Sequence, residues 1–91
     1  MNKFLITYDL NTPGKNYDNV ISAIKIASNG TWCSFWRSSF LICSNLTANE
    51  IFAVLEPHID SNDRLFIVEV TPHYQGWLSK DEWDFINQNV F

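Results

Sequence analysis

Little in this 91-residue chain points to a metal or redox scaffold, since it has only two cysteines, Cys33 and Cys43. They form no Cys-x-x-Cys pair and have no zinc-ligand spacing, so a disulfide framework or zinc module is not expected. Two reduced, buried thiols are the preferred reading. Positive charge is also scarce: six Lys and Arg stand against ten Asp and Glu, for a formal charge of −4. That balance argues against a protein held to nucleic acid by bulk charge. No apolar run reaches the length of a membrane span. The run Phe4–Ile6 is too short for a secretory signal, and Asp9 follows at once, so a cytoplasmic location is expected. Repeats and low-complexity stretches are lacking too.

Aromatic side chains, in contrast, are abundant. Four Trp, three Tyr and seven Phe make up 15% of the residues. One small domain has too little interior for so many large rings, so some apolar surface is expected to meet a partner, most simply a second copy. Charge is also uneven. Lys3, Lys15, Lys25 and Arg37 outnumber Asp9 and Asp18 in residues 1–49, whereas Arg64 and Lys80 face eight acids in residues 50–91. A local basic face in the first half therefore remains open.

Residues 3–9 read as a first strand, apolar on both faces and hence central in a sheet. After the loop Asn11-Thr12-Pro13-Gly14, Asn16 is placed to cap a helix whose buried stripe is Tyr17, Val20, Ile21, Ile24 and Ala27, stopped at Asn29-Gly30. Residues 31–37 read as a second strand, with Trp32, Ser34 and Trp36 on one face. Ser38-Ser39 turns the chain, and residues 40–43 form a third strand. The cysteines are equidistant from Ser38 and are expected to face each other across this hairpin. Thr47-x-x-Glu50 is a capping box for a second helix with Ile51, Phe52 and Leu55 inward, closed by Pro57. Residues 64–70 complete a β-α-β-β-α-β order, so the predicted fold is an α+β, ferredoxin-like sandwich over residues 1–70. Residues 71–91 are predicted as an aromatic-rich extension with a helix starting at Ser79, packing on the core or across a dimer.

Connectivity gathers Asp9, Lys15, Arg37, Ser38, Ser39 and the loop His58–Asp63 at one end of such a domain. Tyr8-Asp9-Leu10 at the close of the first strand resembles the opening of the small CRISPR-associated nuclease-like proteins and their VapD-type relatives. Trp36-Arg37-Ser38-Ser39-Phe40-Leu41 resembles that family's second hairpin, and Asp60-Ser61-Asn62-Asp63-Arg64-Leu65 its approach to the last core strand. The likeness covers residues 3–70. It implies a homodimer in which Asp9 of each chain holds a divalent metal, Mg²⁺ with Mn²⁺ as substitute, at a cleft where RNA or DNA is hydrolysed. No organic cofactor is implied. Beside Asp9, Tyr8 belongs to the family motif, Lys15 and Arg37 are placed to neutralise phosphates, and Ser38 and Ser39 offer hydroxyls or amides.

Each of these residues has a structural reading as well. Asp9 before a loop suits an Asx turn, and Arg37 suits a solvated turn. Lys15 follows Gly14 without the second glycine of a phosphate loop. His58 suits a helix end, and His73 has no partner visible in the sequence. Trp32 and Trp36 suggest base stacking, but residues 40–43 lack the Arg/Lys-Gly-aromatic signature of RNA-binding sheets, so core packing or a dimer seam is the preferred account. Other functions also fit: a non-catalytic dimeric adaptor that binds another protein, or a part of a toxin–antitoxin or mobile-element defence system. The acidic second half favours the adaptor.

Overall fold

A computed structural model describes residues 1–11 and 17–91. The elements run β1 (Asn2–Asp9), α1 (Tyr17–Ala27), β2 (Trp32–Cys33), β3 (Ser39–Ser44), α2 (Ala48–Leu55), β4 (Arg64–Glu69) and α3 (Lys80–Phe85), with a π-helical segment at Ile86–Val90. The result is an α+β structure. The four strands form one antiparallel sheet in the order β2-β3-β1-β4. β1 lies inside the sheet, consistent with its apolar residues on both faces. Asn16, the expected cap of α1, and the loop residues Thr12–Gly14 lie outside the described residues.

Alternation along the strands builds two cores. Phe4, Ile6 and Tyr8 of β1 with Phe40 and Ile42 of β3 face α1 and α2, where Val20, Ala23, Ile24, Ile51 and Leu55 close the interior. Phe4, Ile6, Val20, Ile24, Ile42, Ile51 and Leu55 are all fully buried. The capping box of α2 forms as its sequence requires: the Thr47 side chain accepts from the Glu50 amide, and Glu50 accepts from the Thr47 amide. At the end of α1 the chain returns through Gly30, whose φ of +88° is the left-handed geometry that glycine adopts without strain. Ser44 then ties β3 to that helix end, its hydroxyl donating to the Ala27 carbonyl at 2.7 Å.

The second core lies on the opposite face of the sheet and is built by the extension. Leu41, Cys33 and Cys43 pack against Ile86 and Val90, with Leu5, Phe35, Leu78, Phe85 and Phe91 around them. The C-terminal extension thus docks on its own sheet. Ser79 caps α3 through a second capping box, completed by Glu82.

Several sequence expectations change in detail. Tyr17 and Phe52, expected in the buried stripes, are 41% and 42% exposed. The inward arcs of these short helices are filled by Val20, Ile24, Ile51 and Leu55, and the flanking aromatics turn outward. β2 ends at Cys33 rather than residue 37, because Ser34 bends out of the ladder and its hydroxyl donates to the Ser39 carbonyl at 2.7 Å. The hairpin register also shifts. Cys33 pairs with Leu41 and Trp32 with Ile42, so the cysteines are diagonal neighbours on one face rather than directly opposed.

Both thiols are free and buried. Burial, with the Cys43 thiol nearby, pushes Cys33 up to about 11, and burial also raises Cys43. An unfolded thiol ionises near 9. Between pH 9 and 11 the unfolded chain therefore releases a proton that folded Cys33 retains, and stability falls as pH rises through that window. At pH 8 iodoacetamide is expected to leave both thiols unmodified in native protein and to alkylate both in denaturant. Rapid native alkylation read by intact mass would contradict this burial.

Candidate functional site

The C-terminal end of β1, the start of β3 and the start of β4 meet at one edge of the sheet. Asp9 is the last residue of β1 and pairs in register with Arg64, the first residue of β4. The chain reaches β3 through Ser38, whose φ of +57° is left-handed for a residue with a β-carbon. Such a conformation costs about 1–3 kcal/mol and persists where the surroundings hold it. Here the holding contacts are specific: the Ser38 carbonyl accepts from the Tyr8 amide at 3.0 Å and from the Thr7 hydroxyl at 3.4 Å. The turn is thereby fixed against the segment that carries Asp9.

The loop before β4 is organised by a different carboxylate. Asp63 is buried, and its Oδ1 accepts from the Asn11 amide while its Oδ2 accepts from the Asp60 amide, both at 2.9 Å. The Asn11 side chain in turn donates to the Asn62 carbonyl at 3.2 Å. Asp63 thus clamps the segment following Asp9 to the segment preceding β4. The turn-stabilising role that the sequence assigned to Asp9 is performed at this edge by Asp63. Asp9 itself is exposed, and among the described residues its carboxylate accepts no hydrogen bond and joins no ion pair.

Asp9, Arg37 and Ser38 are exposed. Ser39 is buried, its hydroxyl donating to the Thr7 hydroxyl at 3.3 Å, so it supports the turn rather than facing solvent. Tyr8 does not present its ring at this edge. It faces the helices, 8% exposed, and its phenol is pushed up first by burial and then by Tyr17. Alternation explains the difference, because neighbouring residues of a strand point to opposite faces. Lys15 lies outside the described residues. Arg64 belongs to the Asp60–Leu65 stretch and opens a strand, but it is not among the site residues expected from the sequence. Only the β1–β4 register places it opposite Asp9. Its guanidinium donates to the Asp63 carbonyl at 3.0 Å, which holds its stem close to the clamp.

The two tryptophans expected on one face are separated. Trp32 sits on the helix side, 5.8 Å from the Phe40 ring and under the Lys25 ammonium at 4.3 Å. Trp36 lies beyond the end of β2 and approaches the face covered by the extension. The shortness of β2 removes any shared stacking platform.

Chemically, the edge offers the exposed Asp9 carboxylate in register with Arg64, the exposed Arg37 nearby, and a hydrogen-bonded backbone turn. Among the described residues no group of three or more His, Cys, Asp or Glu side chains converges as a metal site, and no helix is long and apolar enough to cross a membrane. No protein-family model matches the chain, and no curated protein or solved structure matches it either.

Proposed function

We propose that the chain is a ferredoxin-like, homodimeric, metal-dependent endonuclease-like protein that hydrolyses phosphodiesters of RNA or DNA at a cleft between two copies. The antiparallel order β2-β3-β1-β4, with α1 and α2 packed on one face, supports the ferredoxin-like reading. One observation carries the functional reading. The carboxylate at the end of β1 is exposed, while the structural work of that edge is performed by Asp63. A solvated carboxylate on a central strand, beside a held turn, suits ligand binding better than stability.

A single Asp9 is too small a donor set for a protein-held metal, but Mg²⁺ needs only one or two carboxylates and keeps several waters. Asp9 from each of two chains would meet that need, and the hard oxygen donors fit Mg²⁺ or Mn²⁺. Bound there, the metal would supply polarisation of the phosphodiester and an activated water. Arg64 and Arg37 provide the fixed positive charge at this edge, and Ser38 a hydroxyl to hold a phosphate oxygen.

The test is cleavage of labelled single-stranded RNA and double-stranded DNA in Mg²⁺, Mn²⁺ or EDTA. Cleavage is expected to require metal and to fall about a hundredfold or more in Asp9→Ala, since each 1.36 kcal/mol of lost transition-state stabilisation is tenfold in rate. Unchanged metal-dependent cleavage by Asp9→Ala would remove Asp9 from the reaction. A confirmed dimer without cleavage of either substrate would favour the adaptor.

A further inference from the structure

Between the sheet and the extension lies a cavity of about 590 Å³. Its volume falls in the range of small-molecule sites, roughly 300–1,000 Å³. Leu5 and Leu41 of the sheet form its floor. The back wall is a fixed aromatic stack: the Tyr74 ring lies 6.0 Å from Trp83, nearly parallel, and 4.5 Å from Phe91. The Tyr74 hydroxyl is held by the Asn87 side chain. At the mouth stand Trp36, 44% exposed, and Trp77, 99% exposed. An indole can bury 150–250 Å² of largely apolar surface, so the Trp77 ring lies in water with a large favourable contact unmade.

The remaining lining residues define what fits. Among the described residues no Lys or Arg lines the cavity. The only acid, Glu69, pairs with Phe4, which faces the helices, so strand alternation directs its carboxylate away from this face. A phosphate or carboxylate ligand would find no counter-charge. Hydrogen-bonding groups are present, however: Thr71, His73 and Gln75 are among the lining residues. The Gln75 carbonyl oxygen already accepts from the Gly76 amide at 2.9 Å, which leaves its NH₂ to donate. Flat aromatic walls with amide and hydroxyl groups at the rim match a flat, uncharged ring whose edge carries donors and acceptors.

We infer that this cavity binds a neutral heteroaromatic ring of nucleobase type, stacked between the Tyr74–Trp83 wall and the two mouth tryptophans, with its polar edge toward Gln75, His73 and Thr71. The ring arrives either as a free nucleoside or as an unstacked base on a single strand; aromatic stacking serves both. The inference does not depend on Asp9, which lies beyond Leu5 at the end of β1.

The test follows the four indole N–H signals by ¹⁵N NMR. Adenosine is expected to shift Trp36, Trp77 and Trp83 saturably and leave Trp32, on the other side of the sheet, unmoved. Trp77→Ala is expected to weaken adenosine by about tenfold, the scale of one stacked base. This ring is solvent-exposed, so the fold does not need it; Trp36→Ala provides an independent check. Adenosine monophosphate is expected to bind no more tightly than adenosine. Asp9→Ala is expected to bind adenosine like wild type, so failure of the nuclease reading leaves this result intact. Tighter binding of tetraadenylate than of adenosine would assign the ring to a strand, and equal affinity to a free nucleoside; either upholds the base site. The inference is overturned if cyclohexanol binds as well as adenosine, if Trp32 shifts in parallel, or if both tryptophan variants bind unchanged. It is also overturned if dilution alone moves the signals while adenosine does not, which would make the cavity an interface between copies.

Discussion

Ile86→Ala is expected to destabilise the protein by about 3 kcal/mol, within the roughly 2–5 kcal/mol range for truncating a buried isoleucine. For a chain of this size that lowers the melting temperature by roughly 10–20 °C. Ile86 is 4% exposed and packs with Val90 against Leu41, Cys33 and Cys43 on the sheet face opposite the two core helices. Its loss leaves a void under the π-helical segment, where the Cys43 thiol donates to the Val90 carbonyl at 3.6 Å. Gln88→Ala, exposed on the same segment, is the control and should stay within about 0.5 kcal/mol of wild type. Thermal unfolding at two protein concentrations tenfold apart tests the docking itself. An extension seated on its own sheet gives the same Ile86→Ala loss at both. A loss that shrinks at high concentration would mean that the extension reaches its sheet in another copy.

Which sheet the extension covers could not be read from residues 71–91. Their aromatics promise a large apolar contact, but periodicity states only that a face exists, not whose surface meets it. Local signals performed better. The apolar residues on both faces of β1 identified a strand inside the sheet, and Thr47-x-x-Glu50 specified a helix start through two short-range hydrogen bonds. Both are contained within a few residues, so no tertiary information was needed. One error arises where a side chain competes with the backbone ladder. Residues 31–37 alternate like a strand, yet Ser34 bonds the Ser39 carbonyl and the ladder stops at Cys33. That early exit shifts the cysteine register and sends Trp36 to the opposite side of the sheet from Trp32.

At the candidate site, connectivity was enough to bring Asp9, Ser38 and the loop before β4 to one edge, because strand direction alone fixes which ends coincide. It could not distribute roles among them. Asp9 and Asp63 are both aspartates beside loops, and both suit a turn. Only burial separates them: Asp63 is 6% exposed with backbone amides directed at both oxygens, while Asp9 is solvated. Tyr8 is expected at the site from the family motif and Ser39 from connectivity, but the parity of their strands turns both inward.

That division of roles yields the second large effect. Asp63→Ala removes the acceptor from the amides of Asn11 and Asp60, which lie on different segments and are tied together through that carboxylate. A hydrogen bond to a charged group contributes about 1.5–3 kcal/mol, and with both bonds part-buried the low end applies, so the pair is expected to cost about 3 kcal/mol. Asp63→Asn keeps one acceptor oxygen but sets an NH₂ against the second amide, and should recover less than half of that loss. Amide exchange supplies the decisive readout. The Asn11 and Asp60 amides should exchange faster in Asp63→Ala by more than the global destabilisation explains, while the β1 amides of Phe4 and Ile6 follow the global change alone. If the Asn11 and Asp60 amides merely followed it too, Asp63 would not be the clamp. The clamp also bears on the carboxylate two residues before Asn11. On the proposed nuclease reading, Asp63→Ala should impair turnover at temperatures where the fold is intact, because Asp9 then sits on an unanchored strand end. Full activity at those temperatures would mean that the β1–β3–β4 ladder alone holds Asp9, and that the edge needs no second carboxylate for its chemistry.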